Sequence, residues 1–221
     1  MAAIPLENEI YYPESDGEPM AESELHMMEM MYVIQALRER FADAPDVYVG
    51  GDLFLYFEKG RRDAVVAPDA FVVRGVPKLP PRGKYLLWEE GKAPCFVLEV
   101  TSDTTQKKDV GSKKTIYQRL GIDEYFLFDP LGDYLKPRLQ GYRLGTGGRY
   151  RAVAPEPDGS LVSATVGLTF LPEGAHSIRL IHTDTGKPLL RREELTALRR
   201  KDEERIRALE EELARLRGQA G

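Results

Sequence analysis

The chain has 221 residues, 42% of them hydrophobic, which is enough to bury a full core without staples, and its single cysteine, Cys95, excludes an intramolecular disulfide and suits a reducing compartment. A net charge of -5 argues against a general nucleic-acid coat protein, which is usually basic. No charged-then-apolar leader opens the chain and no apolar run approaches the ~20 residues of a membrane span, so the expectation is a soluble cytoplasmic protein.

Residues 21–41 repeat apolar side chains at Met27, Met30, Ile34, Leu37 and Phe41, which predicts an amphipathic helix starting near Glu22, Ser23 or Glu24. His26 precedes the first position of that stripe. Strands are predicted over residues 47–50, 53–57, 64–73 and 96–100. Residues 76–83 are too proline-rich for either element and predict a surface loop. A helix over residues 107–120, ending before Gly121, and a strand over 124–129 complete an α/β core. Shorter strands or hairpins come after it, around residues 142–144, 150–153, 161, 168–171 and 178–181, and His176 and His182 in this region read as structural.

Two acids stand where apolar residues are expected. Asp69 is the only charge in residues 64–73, and Glu99 interrupts the apolar run Phe96-Val97-Leu98-Glu99-Val100. An isolated carboxylate is expensive to bury and is found paired, hydrogen-bonded or holding a metal. Alternation puts Val97, Glu99 and Thr101 on one strand face. If the Asp69 and Glu99 strands are neighbours, the two carboxylates converge and need a cation between them. A hard cation such as Mg2+, which keeps several waters and takes one or two carboxylates, fits that set; zinc does not, because no His or Cys has matching spacing. Cys95, just before the strand, reads as packing.

Projecting residues 107–120 at about 100° per residue puts Val110, Ile116, Tyr117 and Leu120 on one side, with Lys113 near its centre and Lys114 well off it. Asp109 lies four residues before Lys113, the favourable order for an acid–base pair. A lysine aimed at a sheet bearing two acids is placed to stabilise phosphate charge or orient a water. Tyr117 reads first as core packing.

Pro68-Asp69, the Leu-Glu-Val-Thr-Ser run ending at Ser102, Asp109 with Lys113 and Tyr117, and the segment from Glu124 to Pro130 together resemble the PD-(D/E)XK nuclease superfamily, and within it a broad bacterial restriction endonuclease family. The resemblance extends over most of residues 10–190. It implies a restriction-endonuclease-like core of a mixed central sheet flanked by helices. It also implies Asp69 and Glu99 as ligands of Mg2+ (with Mn2+ as a substitute) and Lys113 as the catalytic lysine. In the standard motif the lysine follows the acid by two residues on the same strand, and here that position is Thr101; the family often carries it on the following helix, which points to Lys113. His26, Thr101, Asp109 and Tyr117 are candidates for positions supporting these groups, His26 alternatively being a helix-terminal residue only.

The expected domains are a nuclease domain over 1–190 and a charged helix over 191–221. In the latter, Leu195, Ile206, Leu209, Leu213 and Leu216 fit a heptad seam in which Arg199 and Asp202 take two positions. At about three heptads it dimerises two subunits, docks another helix or stays a charged helix. Residues 107–119 carry five basic residues, Lys107, Lys108, Lys113, Lys114 and Arg119, against one acid, and Arg61, Arg62, Lys84 and Lys92 flank the other site strands, a focus that can receive a phosphate backbone. The expected function is a metal-dependent endonuclease acting on DNA, working as a homodimer. The alternative is a non-catalytic protein that keeps the nuclease fold and assembles through its last helix, a reading that Thr101 keeps open.

Overall fold

The computed structural model describes residues 10–14 and 23–219 of the chain, which divides into two compact units, residues 1–188 and 189–221. The first unit opens with α1 (Glu24–Arg40), whose N-cap Ser23 accepts a hydrogen bond from the His26 amide at 3.1 Å. Of the predicted starts, Ser23 is the N-cap and Glu24 the first helical residue, while Glu22 lies outside the described residues. Strands β1 (Val47–Gly50), β2 (Leu55–Tyr56), β3 (Val65–Val66) and β4 (Ala70–Arg74) follow, then β5 (Tyr85–Leu86), the short α2 (Leu87–Glu90) and β6 (Phe96–Val100). A broken helix comes next: α3 (Gln106–Lys108), a π-helical turn (Asp109–Lys113) and α4 (Lys114–Arg119). The unit continues with β7 (Glu124–Phe128), β8 (Leu139–Leu144), β9 (Tyr150–Ala152), β10 (Leu161–Ser163), β11 (Leu168–Glu173) and β12 (Ser177–His182).

The described strands form a six-stranded sheet in the order β1-β4-β6-β7-β8-β9, in which β6 and β7 run parallel and the other pairs antiparallel. This is the mixed central sheet that the resemblance implies. Two three-stranded sheets, β10-β11-β12 and β3-β2-β5, accompany it. Register sets Phe71, Val97 and Tyr125 side by side, and on that face they share a core with Val73, Leu127 and Tyr117. On the other face Phe96 and Phe126 pack against Phe170 of β11, with ring centroids 5.5 and 5.1 Å away. Every residue of β6 and β7 is buried, which is why both read as unbroken apolar runs in which a lone acid stands out.

Several expectations shift by a physical cause. The predicted strand over residues 64–73 is two strands, because Pro68 has no N–H for a ladder and the chain turns there. The strand over 53–57 is only Leu55–Tyr56, and that over 124–129 stops at Phe128, because the Asp129 carboxylate instead accepts the amides of Leu131, Gly132, Tyr134 and Leu135 at 2.7 to 3.0 Å. The inward face of α1 is rotated from the apolar stripe. Met27 is exposed, whereas His26, Glu29, Tyr32, Val33, Ala36 and Leu37 are buried. Two of these polar groups are held by β12: Glu29 accepts the Ile178 amide at 2.9 Å, and the Tyr32 hydroxyl accepts the Leu180 amide at 3.0 Å. Cys95 is packing, its thiol donating to the Val72 carbonyl and raised in pKa by burial.

The second unit contains one long helix, α5 (Arg192–Gln219), among its described residues. No helix of the described residues is long and apolar enough to cross a membrane.

Candidate active site

Pro68 ends the ladder and leaves Asp69 at the head of β4, across from Glu99 on β6. The continuation of the β4–β6 pairing beyond Ala70 and Leu98 would set Asp69 opposite Glu99, and the side chains take over there. Asp69 Oδ2 accepts the Val100 amide at 2.7 Å, and the Asp69 amide donates to Glu99 Oε2 at 3.3 Å. A corner made by Gly50, Gly51 and Asp52 braces this turn. The Asp52 amide donates to the Pro68 carbonyl at 2.9 Å, and Asp52 itself has a φ of 49°, in the left-handed region. A Cβ on Gly51 would stand 2.5 Å from the Asp69 carbonyl oxygen, so only glycine lets the two segments approach this closely.

Glu99 is fully buried. Its Oε1 accepts the Tyr117 hydroxyl at 2.6 Å, and its Oε2 lies 2.9 Å from Lys113 Nζ. Lys113 Nζ is also 3.2 Å from Asp109 Oδ1 and donates to the Ala67 carbonyl at 3.4 Å. The ammonium therefore stands among two carboxylates and a carbonyl that belongs to the turn carrying Asp69. Lys114 points elsewhere, its ammonium 3.4 Å from the centroid of the Tyr142 ring.

The π-helical turn explains how one helix supplies three inward groups. In an uninterrupted α-helix Asp109 and Tyr117 would be about 80° apart around the axis. The extra residue accommodated by a π turn rotates the remainder of the helix by about 100°, which brings Tyr117 back to the side of Asp109. The same rotation corrects the sequence projection: Val110, expected on the inner side, is 46% exposed. The Tyr125 hydroxyl, from β7, donates to the Asp109 carbonyl at 3.0 Å and holds the start of the turn.

His26 reaches the same place from α1, buried, with Nε2 3.3 Å from Asp69 Oδ2. Thr101 is buried on the continuation of β6, but its hydroxyl makes no hydrogen bond and its amide is committed to the Phe128 carbonyl at 2.7 Å. Asp69, Glu99, Lys113, Asp109, Tyr117 and His26 are thus linked by direct contacts, and Thr101 stays beside them without one. Sequence reasoning missed Gly51, Tyr125 and the π turn. The Gly50-Gly51 pair is the available signal for the first; the others carry none.

Three acids, Asp69, Glu99 and Asp109, share the cluster with one ammonium, which touches Glu99 and Asp109. Burial, reinforced by Asp69 and Asp109, pushes the Glu99 carboxyl up to about 8 against the pull of Lys113. Burial likewise raises Asp109. Burial alone would lower Lys113, but Glu99, Asp109 and Asp69 outweigh it and hold the amine charged. The cluster is short of positive charge, and its most buried acid keeps a proton into the neutral range. A hard dication bound through one or two carboxylates plus water fits the Asp69 and Glu99 carboxylates. Among the described residues no group of three or more His, Cys, Asp or Glu side chains forms a full metal cage.

The basic focus expected along the helix is largely committed. Lys113 and Lys114 are engaged as described, Arg119 pairs with Glu58 at 2.9 Å, and Arg61 pairs with Glu58 and Asp63 at 3.0 and 2.6 Å. Lys107 and Lys108 remain exposed, immediately before the π turn.

The cluster falls within a segment shared with known proteins. The Uma2 family model, described as "Putative restriction endonuclease", matches residues 7–172, which spans every residue of the cluster. A solved structure from Anabaena variabilis, described as a "putative nuclease belonging to DUF820", is 16% identical with a TM-score of 0.48, over 67% of this chain and 76% of that one. No curated protein matches the chain significantly. The family match covers most of the chain, and the chain belongs to the Uma2 family.

Proposed function

We propose that the chain is a divalent-metal-dependent endonuclease that hydrolyses phosphodiester bonds in DNA. The observation that carries this reading is the Lys113 ammonium, 2.9 Å from Glu99 and 3.2 Å from Asp109, in a buried cluster with an excess of carboxylates. Asp69 and Glu99 would hold the metal, Mg2+ with Mn2+ as substitute. When bound, such an ion polarises a phosphoryl oxygen and makes a coordinated water more acidic.

The protein's own groups divide the remaining work. Lys113, held charged by its carboxylate neighbours, orients the attacking water and neutralises charge developing on the phosphate. Tyr117 fixes the plane of the Glu99 carboxylate by donating to Oε1. His26 and the Val100 amide fix Asp69 from two directions. Asp109 keeps Lys113 at the edge of the cluster instead of letting it collapse wholly onto Glu99.

The competing reading, a non-catalytic binding protein with a nuclease fold, draws on Thr101 in the place of the strand lysine. What supports catalysis over it is that Lys113 delivers an ammonium to Glu99 from the helix instead. Thermal unfolding with increasing Mg2+ or Mn2+ tests the proposal. A ligand of the folded state raises the melting temperature, so the wild-type chain rises and Glu99→Gln does not. No rise for the wild type, or an equal rise for both, contradicts it.

A further inference from the structure

The long helix α5 carries an apolar row with no contribution to its own unit's core: Ile206, Leu209, Leu213 and Leu216 are each between 51% and 55% exposed. They continue the heptad seam of Leu195, Arg199 and Asp202, with Arg199, Ile206 and Leu213 at a and Leu195, Asp202, Leu209 and Leu216 at d. Leu198 is likewise exposed and flanks the seam at a g position. A charged helix that leaves this row in water loses the packing that makes such a sequence stable as a helix. We infer that the row is covered by the same row of a second copy, in a parallel, in-register two-stranded coiled coil.

Orientation is set by where the polar positions lie. The seam is polar in its first half, at Arg199 and Asp202, and apolar in its second, from Ile206 to Leu216. An antiparallel pair would lay the charged half against the leucine half and bury two charges without partners, which is costly. A parallel pair sets like against like. Arg199 at a then inserts into a hole whose rim includes Asp202 at d of the partner helix, so the two charges meet their opposites inside the seam. A polar a position of this kind specifies register and strand number at some cost in stability.

The flanking charges agree. A parallel coiled coil sets each g residue beside the e residue five positions on in the other helix. Here that joins Arg205 to Glu210 and Glu212 to Arg217, and each pair occurs twice by symmetry. All are attractive. An antiparallel pair sets e against e and g against g, and the register that brings Arg205 to Glu212 also brings Glu203 to Glu210, so attraction on one flank is offset by repulsion on the other. Ile at a with Leu at d, as at Ile206 and Leu209, is the combination that favours two strands over three.

The test uses the full chain. Sedimentation should give a particle of about twice the 25.0 kDa monomer mass. Leu209→Glu with Leu213→Glu should return it to monomer, with a loss of helical circular-dichroism signal no larger than the 28 residues of α5 account for and an unchanged metal-induced melting shift, since neither side chain belongs to the first unit. For orientation, Leu216→Cys is placed in a Cys95→Ser background, leaving one thiol per chain. Mild oxidation should then cross-link the dimer to near completion, because residue 216 meets its own copy only in the parallel arrangement. A monomeric wild-type chain, a dimer that survives the double substitution, or a dimer that resists cross-linking through residue 216 would each overturn the inference.

Discussion

Tyr117 donates its hydroxyl to Oε1 of Glu99 at 2.6 Å, with both residues fully buried. That bond fixes one oxygen of the carboxylate and turns the other toward Lys113. Tyr117→Phe removes the donor and keeps the ring, which packs edge-on to Tyr125 with centroids 5.0 Å apart. A lost hydrogen bond to a charged or partly charged group costs about 1.5 to 3 kcal/mol. The expected result is a stability loss of about that size in urea unfolding, with metal affinity and cleavage down roughly tenfold or more, in line with the same energy. Unchanged affinity would mean that Tyr117 is packing alone.

Gly51 makes a second prediction, because a Cβ there would stand 2.3 Å from the Ile34 Cδ1 atom and 2.5 Å from the Asp69 carbonyl oxygen. One neighbour is a side-chain end and can give; the other is backbone and cannot. Gly51→Ala should cost about 1 to 3 kcal/mol, the usual range for overpacking, and shift Asp69 away from Glu99. Cleavage should fall by more than the stability loss alone explains, measured at a temperature where the variant is still folded. A fully active, fully stable variant would show that the corner does not position Asp69.

The π turn gives a third. Deleting Gly111, for which an added Cβ would meet open space, removes the extra residue and allows a continuous α-helix. Asp109 and Tyr117 are then seven residues apart and stay within about 20° of one another around the axis, as the π turn already places them. The far-UV circular-dichroism spectrum should stay close to wild type, and the metal-induced melting shift and cleavage should largely survive. Inserting an alanine after Gly111 in the wild-type chain instead should turn Tyr117 away by about 100° and abolish both; loss of both in the deletion variant, or their survival in the insertion variant, would contradict this account of the turn.

Chemistry out of place is legible in this sequence, whereas rotation is hidden. Glu99 and Asp69 stand out because every neighbour is apolar, and both lie at the centre of the cluster. The projection that favours Lys113 over Lys114 assumes an ideal α-helix; it selects the inward lysine but turns Val110 inward too, because it carries no π turn. The face of α1 is misjudged for a related reason. Hydrophobicity assigns Met27 inward, but the buried positions belong to His26 and Glu29, whose partners Asp69 and the Ile178 amide lie far along the chain. Polar residues that face inward because of such distant partners carry no periodic signal. The break at Pro68 is legible in principle, since proline cannot donate to a ladder, but the apolar residues around it mask the turn.

A fourth prediction concerns pH. Without metal, burial lets Glu99 keep its proton in the folded chain up to about 8, whereas an ordinary glutamate loses it near 4.5. Between those values the folded state binds the extra proton, so the free energy of unfolding falls as pH rises, by up to about 1.4 kcal/mol per unit. Asp109, also raised by burial, acts in the same direction, while the raised Lys113 acts only above the ordinary lysine range. Urea unfolding in a chelator at several values from about 4.5 to 8 should therefore show declining stability, and Mg2+ should reverse the decline most strongly at the alkaline end. Glu99→Gln should flatten the slope. Stability that climbs with pH over this window would contradict the charge assignment.

The most direct test of the active-site assignment is nicking of supercoiled plasmid by the purified chain in Mg2+ or Mn2+, compared with three single substitutions. Glu99→Gln keeps shape and deletes a ligand charge, and Lys113→Met keeps length and deletes the ammonium; each should reduce cleavage by roughly 100-fold or more, the scale of losing one electrostatic group from a catalytic site. Metal binding should survive Lys113→Met better than Glu99→Gln, because only the latter touches a ligand. Lys114→Met, whose ammonium lies on the Tyr142 ring, should cut like wild type. Divalent-dependent nicking that Glu99→Gln and Lys113→Met leave intact, or that Lys114→Met alone abolishes, would contradict the assignment of Asp69, Glu99 and Lys113 as the active site.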